Sequence, residues 1–318
     1  MAHEPPCIAL TGATGFIGRH LLFALLDQGY TLRVLVREGS LEKRKALEAG
    51  LNQEAKGRLK WIKGDLSSRK ALQELVQDAQ RVVHLAGAIR GADFEEFARV
   101  NTKGLWLLTR VLKEKAPPPP LLFVSSLAAR HPFLSPYAFS KRAAEEILYT
   151  SGLPWAIFRP PAVYGPGDRE LRPLIKLMGR GIIPVLGQKE HRFSLLYVKD
   201  LVRAITCWLE KPVFFKTYEL HDGEPGGYDW CRVGEIVQKI IKRPVRFIRL
   251  PQGLFYKVGR LNHLLGHLLA YTPMLTHWKV HELFYEEWIC DNQLIQEDLE
   301  WEPLWGLEKG LRSLFKQV

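Results

Sequence analysis

The chain of 318 residues is 47% hydrophobic and 25% charged, a composition that excludes a disordered protein and suffices for one large domain or two modest ones. Its 45 Lys and Arg residues against 34 Asp and Glu residues give a net charge of +11, which favours anionic partners such as phosphorylated small molecules or an anionic membrane surface. Basic runs with interleaved aromatics and zinc-finger spacings are absent, so we expect no nucleic-acid partner.

The chain shows no sign of secretion. Its first residues, MAHEPPC, do not resemble a signal peptide, and no apolar run approaches the length of about eighteen residues that a membrane span needs. The cysteines are isolated, with no C-x-x-C pair: Cys7, Cys207, Cys231 and Cys290. We therefore expect reduced thiols and a cytoplasmic protein, with peripheral membrane contact as a further candidate.

Apolar strands alternate with helices through the first half of the chain. The strands are predicted at 7–11, 32–36, 59–62, 81–87, 121–126 and 155–160, and the helices at 16–29, 41–50, 69–78, 94–114 and 137–151. This alternation predicts an α/β fold with a parallel sheet covered on both faces. The proline run at 116–120 lies between a helix and a strand, so it is interpreted as a rigid turn and not a domain linker.

Three glycines lie between the first strand and the first helix, in ALTGATGFIG at 9–18. Gly12 permits a tight turn, Gly15 lets a pyrophosphate approach the backbone, and Gly18 lets helix and strand pack closely. The start of the helix supplies free N–H groups and a partial positive charge. In this strand-turn-helix context the glycines predict a dinucleotide site of the Rossmann type.

The end of the second strand indicates which dinucleotide is favoured. NAD is typically held by a carboxylate about twenty residues beyond the glycines, but this strand ends in Arg37. A guanidinium there can pair with the 2′-phosphate of NADP. Nearby polar residues that could assist are Ser40, Lys43 and Arg44. The sequence favours NADP(H) over NAD(H); Glu38 opposes this, and the alternative is that Arg37 is simply solvated.

The candidate catalytic residues lie in the segment SPYAFSKRAAEE at 135–146. Tyr137 and Lys141 are four residues apart on a predicted helix and therefore share one face, where an ammonium can lower the pKa of a phenol. Ser125 and Ser126 end the fifth strand, at the sheet edge where open parallel sheets bind ligands. A serine hydroxyl there can hold a substrate oxygen against the tyrosine.

Eight motifs follow one another along the chain: TGATGFIG (11–18), GDL (64–66), HLAG (84–87), VNTKG (100–104), SS (125–126), YAFSK (137–141), FRPPAVYGPGD (158–168) and LEWEPLWGLEKGLRSLF (299–315). Together they resemble the extended short-chain dehydrogenase/reductases, the NAD-dependent epimerase/dehydratase group. The resemblance covers nearly the whole chain. It implies a doubly wound, Rossmann-type NAD(P)-binding domain at 1–168 and a smaller α/β substrate-binding lobe at 169–318, with the chain interleaving between them.

The resemblance also implies the site residues. The catalytic set is Ser126, Tyr137, Lys141 and Asn101, with Ser125 as the alternative serine. With Arg37 added from the charge argument, the cofactor-binding set is Gly12, Thr14, Gly15, Phe16, Ile17, Gly18, Arg37, Asp65, Leu66, Leu85, Ala86, Gly87, Ser125, Tyr137, Lys141, Pro160, Ala162 and Val163.

The implied mechanism couples proton transfer at Tyr137 to hydride transfer between substrate and nicotinamide. Lys141 would bind the nicotinamide ribose and favour tyrosinate, Ser126 would polarise the carbonyl, and Asn101 would orient the proton path. A complete set of these residues argues against the alternative of a non-catalytic nucleotide-binding subunit on the same fold.

The substrate is less well indicated. Nucleotide-sugar members of the family commonly have an asparagine beside the arginine in FRPPAVYGP, where this chain has prolines and Ala162. Arg172 and Arg192 could still hold a diphosphate. We expect an NADP(H)-dependent oxidoreductase acting on a carbonyl/alcohol pair of a small-molecule substrate, apolar or lipid-like; the alternative is a nucleotide-sugar epimerase or dehydratase.

The segment 254–288 is rich in leucine and aromatic residues. We expect it to line or cap an apolar substrate site; ordinary core packing, membrane contact and an oligomer interface are the alternatives. The expectation rests on a cluster around Gly259 and Gly266: Leu254, Phe255, Leu261, Leu264, Leu265, Leu268, Leu269, Tyr271, Met274 and Leu275. The histidine pairs His263/His267 and His277/His281 enclose no carboxylate, so we expect no metal. The chain is expected to be a monomer or a homodimer.

Overall fold

The computed structural model describes residues 6–91, 93–188, 190–268 and 275–316, with the side chains of 267 and 268 left aside. In these ranges the strands are β1 (Cys7–Thr11), β2 (Thr31–Val36), β3 (Leu59–Lys63), β4 (Arg81–His84), β5 (Leu121–Val124), β6 (Trp155–Arg159), β7 (Ala162–Tyr164), β8 (Ile182–Leu186), β9 (Arg192–Phe193), β10 (Leu195–Tyr197), β11 (Lys216–Glu219), β12 (Arg246–Leu250) and β13 (Glu287–Trp288). The helices are α1 (Phe16–Asp27), α2 (Leu41–Ala49), α3 (Gln53–Gly57), α4 (Arg69–Leu75), α5 (Phe94–Phe97), α6 (Gly104–Leu112), α7 (Pro136–Tyr149), α8 (Arg172–Gly179), α9 (Val198–Glu210), α10 (Trp230–Ile241), α11 (Gln252–Leu268), α12 (His277–Leu283), α13 (Gln293–Leu299) and α14 (Leu307–Phe315).

Seven strands form one parallel sheet in the order β11-β6-β5-β4-β1-β2-β3. The strand order reverses between β1 and β4, and ligands of such sheets bind outside the carboxyl ends of the strands at that point. The predicted Rossmann-type fold is confirmed, and the six strands predicted in the first half of the chain are its six neighbouring members.

Apolar helix faces cover both sides of the sheet. On one side α1 packs with α9, where Leu22, Leu25 and Trp208 are fully buried. On the other side α4, α6 and α7 bury Leu72, Leu108 and other leucines. The strands between these layers are therefore almost entirely apolar, as expected for a sheet buried on both faces.

A separate core lies in the second half of the chain. It contains β8 with α8, α10 and α14, packed through Ile183, Val237 and Leu311 among others. The chain nevertheless returns to the main sheet after residue 168, because β11 pairs with β6 and α9 packs on α1. The division into two interleaved domains with a boundary at residue 168 remains a prediction.

Two predicted helices have different limits in the structure. The helix predicted at 94–114 is interrupted by a π-helical stretch, Ala98–Lys103, between α5 and α6. After residue 168, α8 begins only at Arg172, since the Asp168 carboxylate accepts hydrogen bonds from the N–H groups of Glu170 and Leu171 in a preceding turn. The first helix ends at Asp27, and Gly29 adopts φ +90° just beyond it, the left-handed conformation expected there.

Candidate active site

The glycine-rich loop turns sharply between β1 and α1. Gly12 has φ +80°, and its carbonyl oxygen accepts a hydrogen bond from the Gly15 N–H at 2.9 Å. A Cβ on Gly12 would lie 2.6 Å from the Ala86 nitrogen, and a Cβ on Gly18 would lie 2.1 Å from the Gly12 oxygen. Both glycines are therefore required by close backbone packing, and the predicted turn is present.

Gly15 is less closely packed than Gly12 and Gly18. It is exposed, and a Cβ there would meet only the Gly12 oxygen, at 3.1 Å. Gly15 is also the N-cap of α1, where no side chain caps the helix and the first turn carries no acidic residue. The N–H groups at this helix start are thus available for an anion. The half-buried Thr14, Phe16 and Ile17 surround this point.

The segment after β6 is held against α1 by hydrogen bonds. Arg19 and His20 both hydrogen-bond the carbonyl oxygen of Pro166, at 2.6 and 2.9 Å. Pro160 is buried and its carbonyl oxygen accepts the Leu127 N–H at 2.9 Å, next to the serine-bearing strand end. Just beyond it lie the exposed Ala162 and the half-buried Val163. The cofactor-binding positions expected here therefore border the glycine-rich loop and β5.

The end of β2 carries an unpaired cation. Arg37 is exposed and has no ion-pair partner among the described residues, whereas Glu38 pairs with Lys63 at 2.7 Å. Hydrogen bonds from Ser67 lower the pKa of the nearby Asp65, and the charge of Arg37 lowers it further. Arg44, expected to assist, instead pairs with Glu48 and lies over Trp61. Glu38, the residue that opposed NADP, is thus held by a lysine.

Tyr137 and Lys141 lie on α7, as predicted. Tyr137 is half-buried, and its ring meets Phe97 edge-on with ring centres 5.9 Å apart. The Lys141 ammonium donates to the carbonyl oxygen of Val124 at 3.1 Å. Burial lowers the pKa of Lys141 to about 8.

The expectation that Lys141 lowers the pKa of the phenol stays a prediction. Burial raises the pKa of Tyr137, and the nearby Ser126 side chain and the cation Lys279 oppose this rise. Lys141 is instead directed at the end of β5, because its ammonium bonds Val124 and lies 4.8 Å from the Phe123 ring centre.

The π-helical stretch places Asn101 beneath the site. Its side-chain oxygen accepts the Ala88 N–H at 2.7 Å, and its amide donates to Ala88 and to the Ser140 hydroxyl at 3.1 and 2.9 Å. A Cβ on Gly87 would lie 3.1 Å from Asn101 Oδ1 and 3.3 Å from Lys141 Nζ. Asn101, Lys141 and the β4 end therefore meet at one point, and π-helical turns are frequent at functional sites.

The other predicted positions at the strand ends have distinct surroundings. Leu85 and Ala86 are half-buried beside the glycine-rich loop, and Leu66 is buried under Gly104. Ser125 is buried, and its hydroxyl has no hydrogen-bond partner among the described residues. An unsatisfied hydroxyl at the carboxyl end of β5 is suited to a ligand that supplies the missing bond.

Sequence reasoning missed the contribution of α12. The Lys279 ammonium lies 5.8 Å from the Tyr137 ring centre and pairs with Glu282 at 2.6 Å. The buried Glu282 also accepts a hydrogen bond from Ser135, the N-cap of α7. The only sequence signal was the i, i+3 spacing of Lys279 and Glu282, which does not reveal that α12 packs beside α7.

The leucines of α11 are exposed, and their expected role in lining or capping the substrate site stays a prediction. Leu254, Leu261, Leu264 and Leu265 are exposed, while Gly259 is buried against α12. The reason is close helix packing, since a Cβ on Gly259 would lie 2.9 Å from the backbone nitrogen of His277. Leu269, Tyr271 and Met274 lie outside the described residues, as do the side chains of His267 and Leu268.

Metal ligation has no support in the described residues. They contain no group of three or more His, Cys, Asp or Glu side chains arranged to hold an ion. His263 and His277 pack edge-on, with ring centres 5.1 Å apart.

The sheet, the glycine-rich loop and the helix carrying tyrosine and lysine define an NAD(P)-dependent enzyme of the extended short-chain dehydrogenase/reductase type. A sequence model of the NAD dependent epimerase/dehydratase family matches residues 8–220, and the chain belongs to that family.

The similar proteins differ in activity. The chain is 34% identical to ceramide reductase of Caulobacter vibrioides, over 88% of this chain and 85% of that protein. It is 26% identical to the mitochondrial NADH dehydrogenase [ubiquinone] 1 alpha subcomplex subunit 9 of Arabidopsis thaliana, over 92% and 73%. The crystal structure of UDP-glucuronic acid 4-epimerase from Bacillus cereus with NAD superposes with a TM-score of 0.72 at 21% identity, covering 98% and 99%. This last likeness concerns the fold.

Proposed function

We propose that the protein is an NADP(H)-dependent oxidoreductase that interconverts a ketone and an alcohol on an apolar, lipid-like molecule. The observation that carries the reaction is the setting of Tyr137, which lies close enough to Ser126 for that side chain to lower the pKa of the phenol, and which shares one face of α7 with Lys141. The similarity to ceramide reductase supports the substrate class.

The described residues fit a dinucleotide. The start of α1 has no side-chain cap, Gly15 is exposed, and the Ser125 hydroxyl lacks a hydrogen-bond partner among the described residues. The diphosphate would occupy the helix start, where N–H groups and the helix dipole favour anions. The unpaired Arg37 supports a 2′-phosphate, and therefore NADP(H) over NAD(H).

Each catalytic residue has a role consistent with its contacts. When bound, the nicotinamide supplies or accepts the hydride. Tyr137 donates a proton to the substrate oxygen during reduction and accepts it during oxidation. Ser126 holds that oxygen by a hydrogen bond, Lys141 binds the cofactor ribose, and Asn101 fixes the β4 loop against α7.

Apolar side chains around Tyr137 support a lipid-like substrate. Phe97 packs against the phenol ring, with ring centres 5.9 Å apart. Exposed Ile89 follows the loop that Asn101 holds. Such side chains suit an acyl chain better than a sugar, because each buried methylene contributes about 0.8 kcal/mol.

The test is a cofactor stoichiometry with two substrate classes. With long-chain ketones, the protein is expected to oxidise one NADPH per alcohol formed, with kcat/KM rising as the chain lengthens. A nucleotide sugar converted with no net change in cofactor would identify the alternative, an epimerase or dehydratase. Lack of turnover with either class, alongside tight dinucleotide binding, would favour a non-catalytic subunit. A cytoplasmic location and a monomeric or homodimeric state remain predictions.

A further inference from the structure

The outer face of α11 is apolar and exposed. Leu254, Val258, Leu261 and Leu265 follow one another at intervals of four, three and four residues, which places them on a single helix face. Leu254 and Leu261 are 56% and 58% exposed. Surface helices normally turn such a stripe towards the core, so this orientation is the reverse of the usual one.

The opposite face explains why the stripe points outwards. The buried Gly259 lets α11 approach the backbone at Thr276 and His277, and the Asn262 amide donates to the Leu275 carbonyl oxygen at 2.9 Å. A leucine in the place of Gly259 would push the two helices apart. The outward stripe is therefore built into the packing of α11 on α12.

The stretch of sequence that contains this stripe carries only positive charges. Residues 236–281 contain no Asp or Glu and eight cations: Lys239, Lys242, Arg243, Arg246, Arg249, Lys257, Arg260 and Lys279. Lys239 and Lys279 pair with carboxylates outside this range, and the other six have no ion-pair partner in the described part of the chain. Lys257 lies within the apolar arc of α11, Arg260 lies at its margin, and both are exposed.

We infer that the outer face of α11 docks on an anionic lipid bilayer. An exposed apolar stripe with flanking cations matches the boundary between acyl chains and anionic headgroups. A second copy is a poorer occupant, because a two-fold pairing of this face brings cations together with no carboxylate to offset them. None of the described helices combines the length and apolar content that a membrane span requires.

Docking would bring the site close to its substrate. The helix α12 packs on α11 and also carries Lys279 and Glu282, which contact Tyr137 and the start of α7. A bilayer against α11 would thus lie beside one wall of the proposed site. The docking itself is independent of the proposed reaction, since it rests on α11 and can be measured without turnover.

The experiment is flotation of the full chain with two kinds of vesicle. Vesicles of phosphatidylcholine and phosphatidylglycerol in equal parts are expected to bind the protein, and vesicles of phosphatidylcholine alone to bind it weakly. Raising the salt concentration is expected to reduce binding, because the cations are screened. Equal binding to both vesicles, or to neither, would overturn the inference.

Matched variants locate the surface. Leu261→Asn is expected to weaken binding roughly tenfold, whereas Leu304→Asn, at a 55% exposed leucine elsewhere, leaves it unchanged. Lys257→Gln is expected to weaken binding about fivefold, and Lys70→Gln, an exposed lysine on α4, serves as its control. If Leu261→Asn and Lys257→Gln bind as the unaltered protein does, α11 is not the docking surface. A vesicle-free dimer that Leu261→Asn dissociates would assign the face to a second copy.

Discussion

Lys279, on a helix near the end of the chain, lies with its ammonium nitrogen 5.8 Å from the ring centre of Tyr137. The cation opposes the effect of burial and lowers the pKa of the phenol, whereas the carboxylate of Glu282 raises it. The second half of the chain therefore contributes to the electrostatics of a tyrosine that the main sheet positions.

Lys279→Met is expected to raise the pKa of Tyr137, because the phenolate loses a nearby cation. In the alcohol-oxidising direction, which needs the phenolate as the base, the rise of kcat/KM with pH should move to higher pH. Lys279→Arg, which keeps the charge, should restore the original profile. Superimposable profiles for Lys279→Met and the unaltered protein would exclude an electrostatic role for Lys279.

Arg37→Ala should weaken NADPH binding about tenfold and leave NADH binding nearly unchanged, because only NADPH carries the 2′-phosphate. Fluorescence titration with each cofactor measures the two affinities. Arg44→Ala is the control, since that guanidinium is already occupied by Glu48. Equal losses for both cofactors in Arg37→Ala would remove the argument for NADP(H).

The pKa of Lys141 is lowered to about 8 by burial, so its ammonium is charged below that pH and increasingly neutral above it. An anionic dinucleotide favours the charged form, so NADPH affinity should fall as the pH rises through 8. Lys141→Met should bind NADPH more weakly at neutral pH and lose this decline. Isothermal titration calorimetry on both sides of pH 8 measures the NADPH affinity of each protein. An equally steep decline in the variant would show that another group causes the pH dependence.

Gly18→Ala should destabilise the fold by roughly 3 kcal/mol, because the added methyl group would lie 2.1 Å from the Gly12 carbonyl oxygen. Urea denaturation gives the free energy of unfolding. Gly39→Ala is a matched control, since a Cβ at Gly39 meets nothing within 4 Å. Similar unfolding free energies for the two variants would show that the loop relaxes readily.

The main sheet and the α7 pair were predictable because their signals are local. Apolar strands separated by helices define a parallel sheet, and the four-residue spacing of Tyr137 and Lys141 defines a common helix face. The contact of Lys279 with Tyr137 was not predictable, because it depends on how α12 packs. Helical periodicity assigns each of the two residues to a face of its own helix, but it does not indicate which other element packs against that face.

The orientation of α11 illustrates the same limit. The leucine spacing identifies an apolar face, but the close approach at Gly259 turns that face towards solvent. The π-helical stretch at Asn101 was also unexpected, since its sequence continues a regular helical pattern and the interruption accompanies side-chain bonds to Ala88 and Ser140.

The most direct test of the proposed chemistry is the rate of NADPH oxidation by Tyr137→Phe with a long-chain ketone, measured after NADPH binding to the variant has been confirmed. The variant keeps the ring that packs on Phe97 and loses only the hydroxyl. We predict unchanged cofactor affinity and a rate lower by roughly three orders of magnitude, because the proton donor is gone. A rate within a few-fold of the unaltered protein would contradict the assignment of Tyr137 as the proton donor.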